Sequence, residues 1–168
     1  MTNDAFDLIG LPDRPEKPRE LGLTHMLDKG LSAREVENVL NGAAHIIDVA
    51  KLGWGTAVVT KNLETKLDVY REAGIPFFFG GTLFEAYFLR DQIDDYRRLL
   101  DDLDVHHVEI SAGAVSMQHE DKLDFIELFA KDFTVVSEVG SKDSSDVMAP
   151  YRWVEFMQAE LEAGSWWV

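Results

Sequence analysis

Charged residues recur at one structural position in this chain, the end of a short apolar run that a glycine-containing turn follows. They are Asp28, Lys51, Glu109 and Glu138. A charged side chain is costly to bury unless it is paired or bound to an ion, so the repetition indicates a shared site. The three carboxylates suit Mg²⁺, which prefers oxygen ligands and usually keeps several waters. For any one of these residues alone, the alternative is a strand-end charge that reaches solvent.

Three lysines accompany the acids, each at or beside a predicted turn. Lys29, Lys51 and Lys142 are suited to holding a phosphate or carboxylate group, or to delivering a proton if burial lowers the pKa of the ammonium. Acids and lysines gathered in one place therefore favour an anionic substrate bound beside a divalent cation.

The turn at Gly80, Gly81 and Thr82 joins a predicted strand to a predicted helix, where outward-pointing main-chain N–H groups favour anions. Glu85 follows within the first helical turn, where a carboxylate either belongs to the site or simply complements the helix dipole. Trp54 stands between two glycines and is expected to line the same opening. The histidines lack the spacing of metal ligands.

Short apolar runs and amphipathic segments alternate along the chain. Strands are predicted over residues 21–27, 46–52, 75–79, 105–110 and 134–139, and a sixth begins at residue 165. Ser32 and Glu35 match a capping box that opens a helix of about three turns. Further helices are predicted over residues 63–73, 83–89, 93–103, 122–130 and 153–161.

This order repeats a βα unit five times and then starts a sixth strand. Equivalent strand ends lie about 23–30 residues apart, as a parallel sheet with crossover helices requires. We predict an α/β fold, a parallel barrel of the TIM (β/α)₈ type, in a single domain over residues 1–168 with an irregular lead-in over residues 1–19. The strand-end residues of such a barrel converge on its mouth, the opening at the carboxyl ends of the strands.

The amino-acid composition argues against several classes of binding partner and of chemistry. The 168 residues include 31 acids against 16 lysines and arginines, a formal charge of −15, which argues against nucleic acid or an anionic membrane as partner. No apolar stretch is long enough to span a membrane, and the acidic N-terminus is unlike a signal peptide, so we expect a cytoplasmic protein. Because cysteine is absent, disulfides and thiolate chemistry are excluded.

Several blocks of the sequence, in order, resemble the phosphosulfolactate synthase family. The blocks are 17–19 (KPR), 22–24 (GLT), 28–30 (DKG), 48–56 (DVAKLGWGT), 80–85 (GGTLFE), 109–113 (EISAG), and 137–140 (SEVG) with Lys142. The resemblance runs from about residue 17 to the C-terminus. It implies a (β/α)₈ barrel that uses Mg²⁺ to add sulfite to phosphoenolpyruvate, giving (2R)-phospho-3-sulfolactate on the route to coenzyme M.

The resemblance also suggests roles for individual residues. Lys142 is expected to donate the proton, Lys51 and Arg19 to hold anions, and Glu109, Glu138 and Asp28 to surround the metal. Catalytic roles are thus expected for Lys142, Lys51 and Glu109. The remaining substrate contacts are assigned to Lys29, Trp54, Gly80, Gly81, Thr82, Glu85 and Ser111.

The resemblance predicts two further βα units after the sixth strand, and a closed barrel typically needs about 250 residues. A barrel of five and a half units would have open strand edges, which invite pairing with another chain. We therefore expect either a truncated chain or an assembly, with a homo-oligomer favoured. The alternative function is a non-catalytic, barrel-derived module with a role in assembly or stress.

Overall fold

Strands and helices alternate along the part of the chain that a computed structural model describes, residues 14–142 and 147–168. The strands are β1 (His25–Asp28), β2 (Val49–Leu52), β3 (Phe77–Phe79), β4 (His107–Ser111), β5 (Thr134–Glu138) and β6 (Ser165–Trp167). The helices are α1 (Ala33–Ala43), α2 (Leu63–Glu72), α3 (Gly81–Phe88), α4 (Ile93–Asp102), α5 (His119–Phe129) and α6 (Pro150–Glu162). A 3₁₀ segment, Gly53–Val59, follows β2.

The strands form two parallel three-stranded sheets, ordered β1-β2-β3 and β4-β5-β6. β3 and β4 contact each other, so the two sheets follow one another around an arc. Every paired strand is parallel to its neighbour. These features confirm the predicted α/β class and its partial TIM-type barrel.

Two packed layers hold the arc together. The outward-facing strand residues, such as Leu52, Phe79 and Ile110, pack with helix residues in the larger core. The inward-facing residues form a smaller cluster of Val49, Phe78 and Val136, against which Trp167 packs. The alternation of side chains along each strand explains why both layers are apolar.

Local signals in the sequence set where several helices begin. The capping box of α1 is present: the Ser32 hydroxyl accepts from the main-chain N–H of Glu35, whose carboxylate accepts from Ser32. Pro150 occupies the first turn of α6, where its missing N–H costs nothing. Helices α3, α5 and α6 begin two or three residues earlier than predicted, because apolar periodicity becomes visible only after the first turn.

Strands β1 to β4 begin two to four residues later than predicted, whereas β5 and β6 begin where predicted. In the first predicted strand, Gly22 adopts a positive φ of 67°, which ends the extended conformation before β1 begins. Residues 1–13 of the predicted lead-in lie outside the described residues, and residues 14–19 contain no helix or strand. No helix within the described ranges is both long and apolar enough to cross a membrane.

Candidate active site

A partly buried ion network joins three strands near their carboxyl ends at the barrel mouth. The Lys51 ammonium on β2 lies 2.7 Å from Glu109 Oε1 on β4 and 3.8 Å from Glu138 Oε2 on β5. Glu109 is buried, whereas the side chain of Glu138 remains 51% exposed. The structure therefore brings together three of the four strand-end residues that the sequence predicted to converge, and Glu138 presents a carboxylate to solvent beside a lysine.

The Glu109 carboxylate also binds the N-terminus of helix α3. Its Oε2 accepts a 2.5 Å hydrogen bond from the main-chain N–H of Gly81, within the glycine turn predicted to bind an anion. Burial raises the pKa of Glu109, while Lys51 and the Gly81 N–H favour the charged form and oppose the rise. The anion that this helix terminus holds is therefore one of the protein's own carboxylates.

Glu85 anchors the loop that follows β4. Its Oε1 accepts hydrogen bonds from the Ser111 hydroxyl at 2.5 Å and the Gly113 N–H at 2.9 Å, and its Oε2 accepts from the Ala114 N–H at 3.2 Å. Three donors therefore satisfy the buried Glu85 carboxylate. Glu85 and Ser111 together hold the loop after β4 in place beneath the mouth. A side chain at Gly81 would collide with Ser111, since an added Cβ would lie 2.2 Å from Ser111 Oγ and 3.2 Å from Glu109 Oε2.

Lys142 reaches the mouth from the loop after β5. Its ammonium donates a 3.3 Å hydrogen bond to the Thr82 hydroxyl in the first turn of α3, and its main-chain N–H donates to the carbonyl of Gly113 at 2.9 Å. The lysine stem runs along Gly113, where an added Cβ would lie 3.4 Å from Lys142 Cε. Lys142 and Thr82 therefore share the rim with Glu138.

Asp28 lies apart from the other acids. In the register of the sheet, Lys51 is level with Leu27, whereas Asp28 is level with Leu52, so Asp28 points toward the helix layer. There it is fully buried, 2.7 Å from the equally buried ammonium of Lys66. A role as metal ligand remains a prediction, but the geometry does not favour it.

The other contacts of Asp28 are also internal. One carboxylate oxygen accepts from the main-chain N–H groups of Gly30 and Leu31, and the other accepts from the Tyr70 hydroxyl, each at 2.8 Å. Asp28 thus fixes the turn after β1 to helix α2.

Arg19 likewise lies away from the barrel mouth. Its guanidinium contacts Asp48 Oδ1 at 2.7 Å and the carbonyl of His45 at 2.9 Å, at the amino end of β2. Lys17 donates to the carbonyl of Ala44 in the same region. Because the carbonyls at the end of helix α1 attract cations, this arrangement explains the block at residues 17–19 as structural. The role of Arg19 in holding a substrate anion remains a prediction, which its place at the amino end of β2 does not favour.

Lys29 and Trp54 form a second feature at the carboxyl ends of the strands. The Lys29 ammonium lies 5.1 Å from the centroid of a Trp54 ring, a cation–π contact. Trp54 is 58% exposed and has a positive φ of 52°, uncommon for a bulky residue. Gly55 continues the same left-handed turn with φ of 68°, so the loop holds Trp54 outward.

The sequence predictions did not identify two buried lysines, Lys66 and Lys122. Lys66 pairs with Asp28, and Lys122 lies 2.5 Å from Glu160 Oε1. Each stands at helical spacing from buried apolar residues, Lys66 four residues before Tyr70 and Lys122 four before Ile126. A lysine on the apolar face of a helix was the signal that could have identified them.

The parallel α/β arc and the ion network at its strand ends define a barrel protein of the kind that carries its chemistry at the mouth. A family model described as (2R)-phospho-3-sulfolactate synthase (ComA) matches residues 12–168. The chain therefore belongs to the phosphosulfolactate synthase family.

Curated relatives agree with this assignment. The chain is 38% identical over 159 residues to the phosphosulfolactate synthase of Bacillus subtilis, covering 94% of this chain and 63% of that protein. The corresponding protein of Methanothermobacter thermautotrophicus is 34% identical over 167 residues, covering 96% and 64%. The chain thus spans slightly less than two thirds of the length of these relatives.

One solved structure shares the fold. The carboxyl transferase domain from Rhizobium etli pyruvate carboxylase, solved with 3-bromopyruvate, superposes with a TM-score of 0.57 at 14% identity. The match covers 87% of this chain and 26% of that one, and at this identity it supports the fold alone.

Proposed function

We propose that this chain carries the sulfite-adding site of a phosphosulfolactate synthase, a carbon–sulfur lyase. The observation that carries the proposal is the Lys51 ammonium between the carboxylates of Glu109 and Glu138, with Lys142 beside them on Thr82. Family membership supplies the reaction class, since the matched relatives carry the name phosphosulfolactate synthase. The proposed substrates are phosphoenolpyruvate and sulfite.

The reaction requires the protein to stabilise negative charge that develops on the substrate carboxylate and to deliver one proton. The sulfur lone pair of sulfite forms a bond to the methylene carbon, and the π electrons move toward the neighbouring carbon and its carboxylate. A proton added to that carbon completes phosphosulfolactate. We assign the proton to Lys142, which lies on the exposed rim, and charge neutralisation to Lys51.

Mg²⁺ is proposed as the cofactor, held mainly by Glu138. The described residues contain no group of three or more acids or histidines arranged to hold a metal ion. Glu109 already binds Lys51 and the Gly81 N–H, whereas Glu138 is half exposed. Such a set fits Mg²⁺, which is commonly held by one or two carboxylates plus waters and substrate oxygens. When bound, the ion would neutralise charge that develops on the substrate carboxylate.

The direct test is product formation by the purified chain. Phosphoenolpyruvate, sulfite and Mg²⁺ are incubated with the protein, and phosphosulfolactate is measured by mass spectrometry. Replacing Lys142 with methionine is expected to lower turnover at least about 100-fold, the loss typical of a removed proton donor. Lys131→Met, at an exposed lysine beyond helix α5, serves as the matched control and is expected to retain turnover.

Two results would count against the proposal. Full turnover by the Lys142→Met variant would remove Lys142 from the mechanism. No product from the unaltered chain at high protein concentration would defeat the lyase function for this chain and favour a non-catalytic module. Cytoplasmic location and assembly of copies through the strand edges remain predictions.

A further inference from the structure

A second buried ion pair lies outside the barrel, behind the strand that carries Glu138. The Lys122 ammonium on α5 lies 2.5 Å from Glu160 Oε1 on α6, and both side chains are buried. His119 Nε2 lies 3.3 Å from the same carboxylate oxygen. A buried pair of this kind often contributes little stability compared with apolar residues of similar volume. Its presence therefore raises the question of what else it does.

The Lys122 ammonium also binds the end of strand β5. Lys122 Nζ donates a 2.8 Å hydrogen bond to the main-chain carbonyl of Glu138, the last residue of that strand. Hydrogen bonds from a charged donor are stronger than neutral ones, and this one is partly buried. The chain of contacts from α6 through α5 therefore ends on the residue whose side chain faces Lys51 in the mouth.

The loop that begins at Glu138 is held at two further points. The Lys142 N–H bonds to the carbonyl of Gly113, and Trp153 of α6 packs on Gly140, where an added Cβ would lie 2.8 Å from the indole. Gly140 has a φ of 125°, which a side chain rarely adopts. Lys122 thus fixes the start of a short segment whose other end carries the proposed proton donor.

Lys122 also interacts electrostatically with the two carboxylates of the mouth. Burial lowers the pKa of Lys122, and the carboxylates of Glu160, Glu138 and Glu109 act in the opposite direction. The ammonium is therefore within electrostatic reach of both mouth carboxylates although helix α5 lies outside the strands.

We propose that Lys122 is a positioning residue for the mouth: by holding the Glu138 carbonyl, it sets the placement of the Glu138 carboxylate and of the Lys142 ammonium. The kinetic part of this inference rests on the proposed function. A displacement of about 1 Å in a catalytic group can lower a rate about 100-fold, so a loss of this contact is expected to appear mainly in kcat.

The test replaces the ion pair without leaving a buried charge. In the double variant Lys122→Met/Glu160→Met, apolar side chains fill the space and the fold is expected to remain intact. The kcat for sulfite addition is expected to fall about 10- to 100-fold, with KM for phosphoenolpyruvate little changed. Glu160→Gln is the control for the ion pair alone: it is expected to lower stability, because it leaves the buried Lys122 ammonium without its counter-charge, but it keeps the bond from Lys122 to the Glu138 carbonyl, so kcat is compared where this variant is folded. It is expected to retain most of kcat.

Amide hydrogen exchange provides a second readout that needs no turnover. The double variant is expected to speed exchange in residues 139–142, while exchange within α5, β5 and α6 stays as in the unaltered chain. Exchange that rises equally in all of these elements would indicate a merely structural pair and overturn the inference. An unchanged kcat in a folded double variant, or an equal loss in Glu160→Gln, would also overturn it. If the unaltered chain gives no product, the proposed function fails and the exchange pattern alone decides.

Discussion

Replacing Asp28 with asparagine is expected to destabilise the protein by about 3–5 kcal/mol, because it leaves a buried cation without its counter-charge. Asp28 and Lys66 are both fully buried and their charged atoms lie 2.7 Å apart. The asparagine keeps an acceptor for the N–H groups of Gly30 and Leu31, but its amide turns a donor toward the ammonium or the Tyr70 hydroxyl. A loss of this size corresponds to a melting temperature lower by roughly 6–20 °C for a chain of this length.

The pH dependence of this effect has a defined sign. Burial alone would raise the pKa of Asp28, but hydrogen bonds from Lys66, Leu31, Tyr70 and Gly30 outweigh burial and hold the pKa below its usual value. Such a carboxylate stabilises the fold fully above its unfolded-state pKa of about 3.9, and that stabilisation is lost as pH falls through the lower folded-state value. The difference between the unaltered chain and the variant is therefore expected to shrink below about pH 4.

Urea denaturation followed by circular dichroism, at pH 7 and at acidic pH, measures both effects. Asp68→Asn is the control, since Asp68 forms an exposed pair with Arg71 and is expected to change stability by less than about 1 kcal/mol. A destabilisation of Asp28→Asn no larger than that of Asp68→Asn would refute the reasoning. Mg²⁺ that stabilises the unaltered chain but not Asp28→Asn would instead favour Asp28 as a metal ligand.

Three further substitutions test the site. Lys51→Met leaves Glu109 without its cation and is expected to lower sulfite-dependent turnover at least about 100-fold in steady-state kinetics; retained turnover would contradict the assignment. Gly81→Ala drives a methyl group into Ser111 and is expected to cost about 1–3 kcal/mol in thermal unfolding, most of which Gly81→Ala/Ser111→Gly should recover. Arg19→Met is expected to lower stability by about 1–3 kcal/mol while KM for phosphoenolpyruvate stays unchanged; a raised KM would show that Arg19 does serve the substrate.

The sequence was most informative where a local pattern decides the structure. The capping box at Ser32 and Glu35, and the apolar runs before each turn, depend on neighbours within a few residues, and the structure contains each of them. The convergence of Lys51, Glu109 and Glu138 also followed, because parallel strands bring their carboxyl ends to one edge.

Contacts between distant segments were beyond the sequence. Asp28 is the last residue of β1, whereas Lys51 is the last but one of β2, and this difference of one residue turns the Asp28 side chain to the opposite face. The glycine turn at Gly81 was predicted to bind a substrate anion, and only the fold shows that its N–H donates to the protein's own Glu109 carboxylate. Which face a strand-end charge occupies depends on pairing with other strands, and periodicity within one strand does not specify that pairing.

The pairing of Lys51 with the protein's own acids has a consequence for the speed of substrate encounter. Its positive charge is compensated locally by Glu109 and Glu138, so Lys51 adds little attraction at a distance to offset a formal charge of −15. A small anion therefore approaches against a repulsive field, and added salt screens that field. Association of an anionic ligand is expected to become faster as ionic strength rises, the opposite of the usual behaviour of an electrostatically steered enzyme.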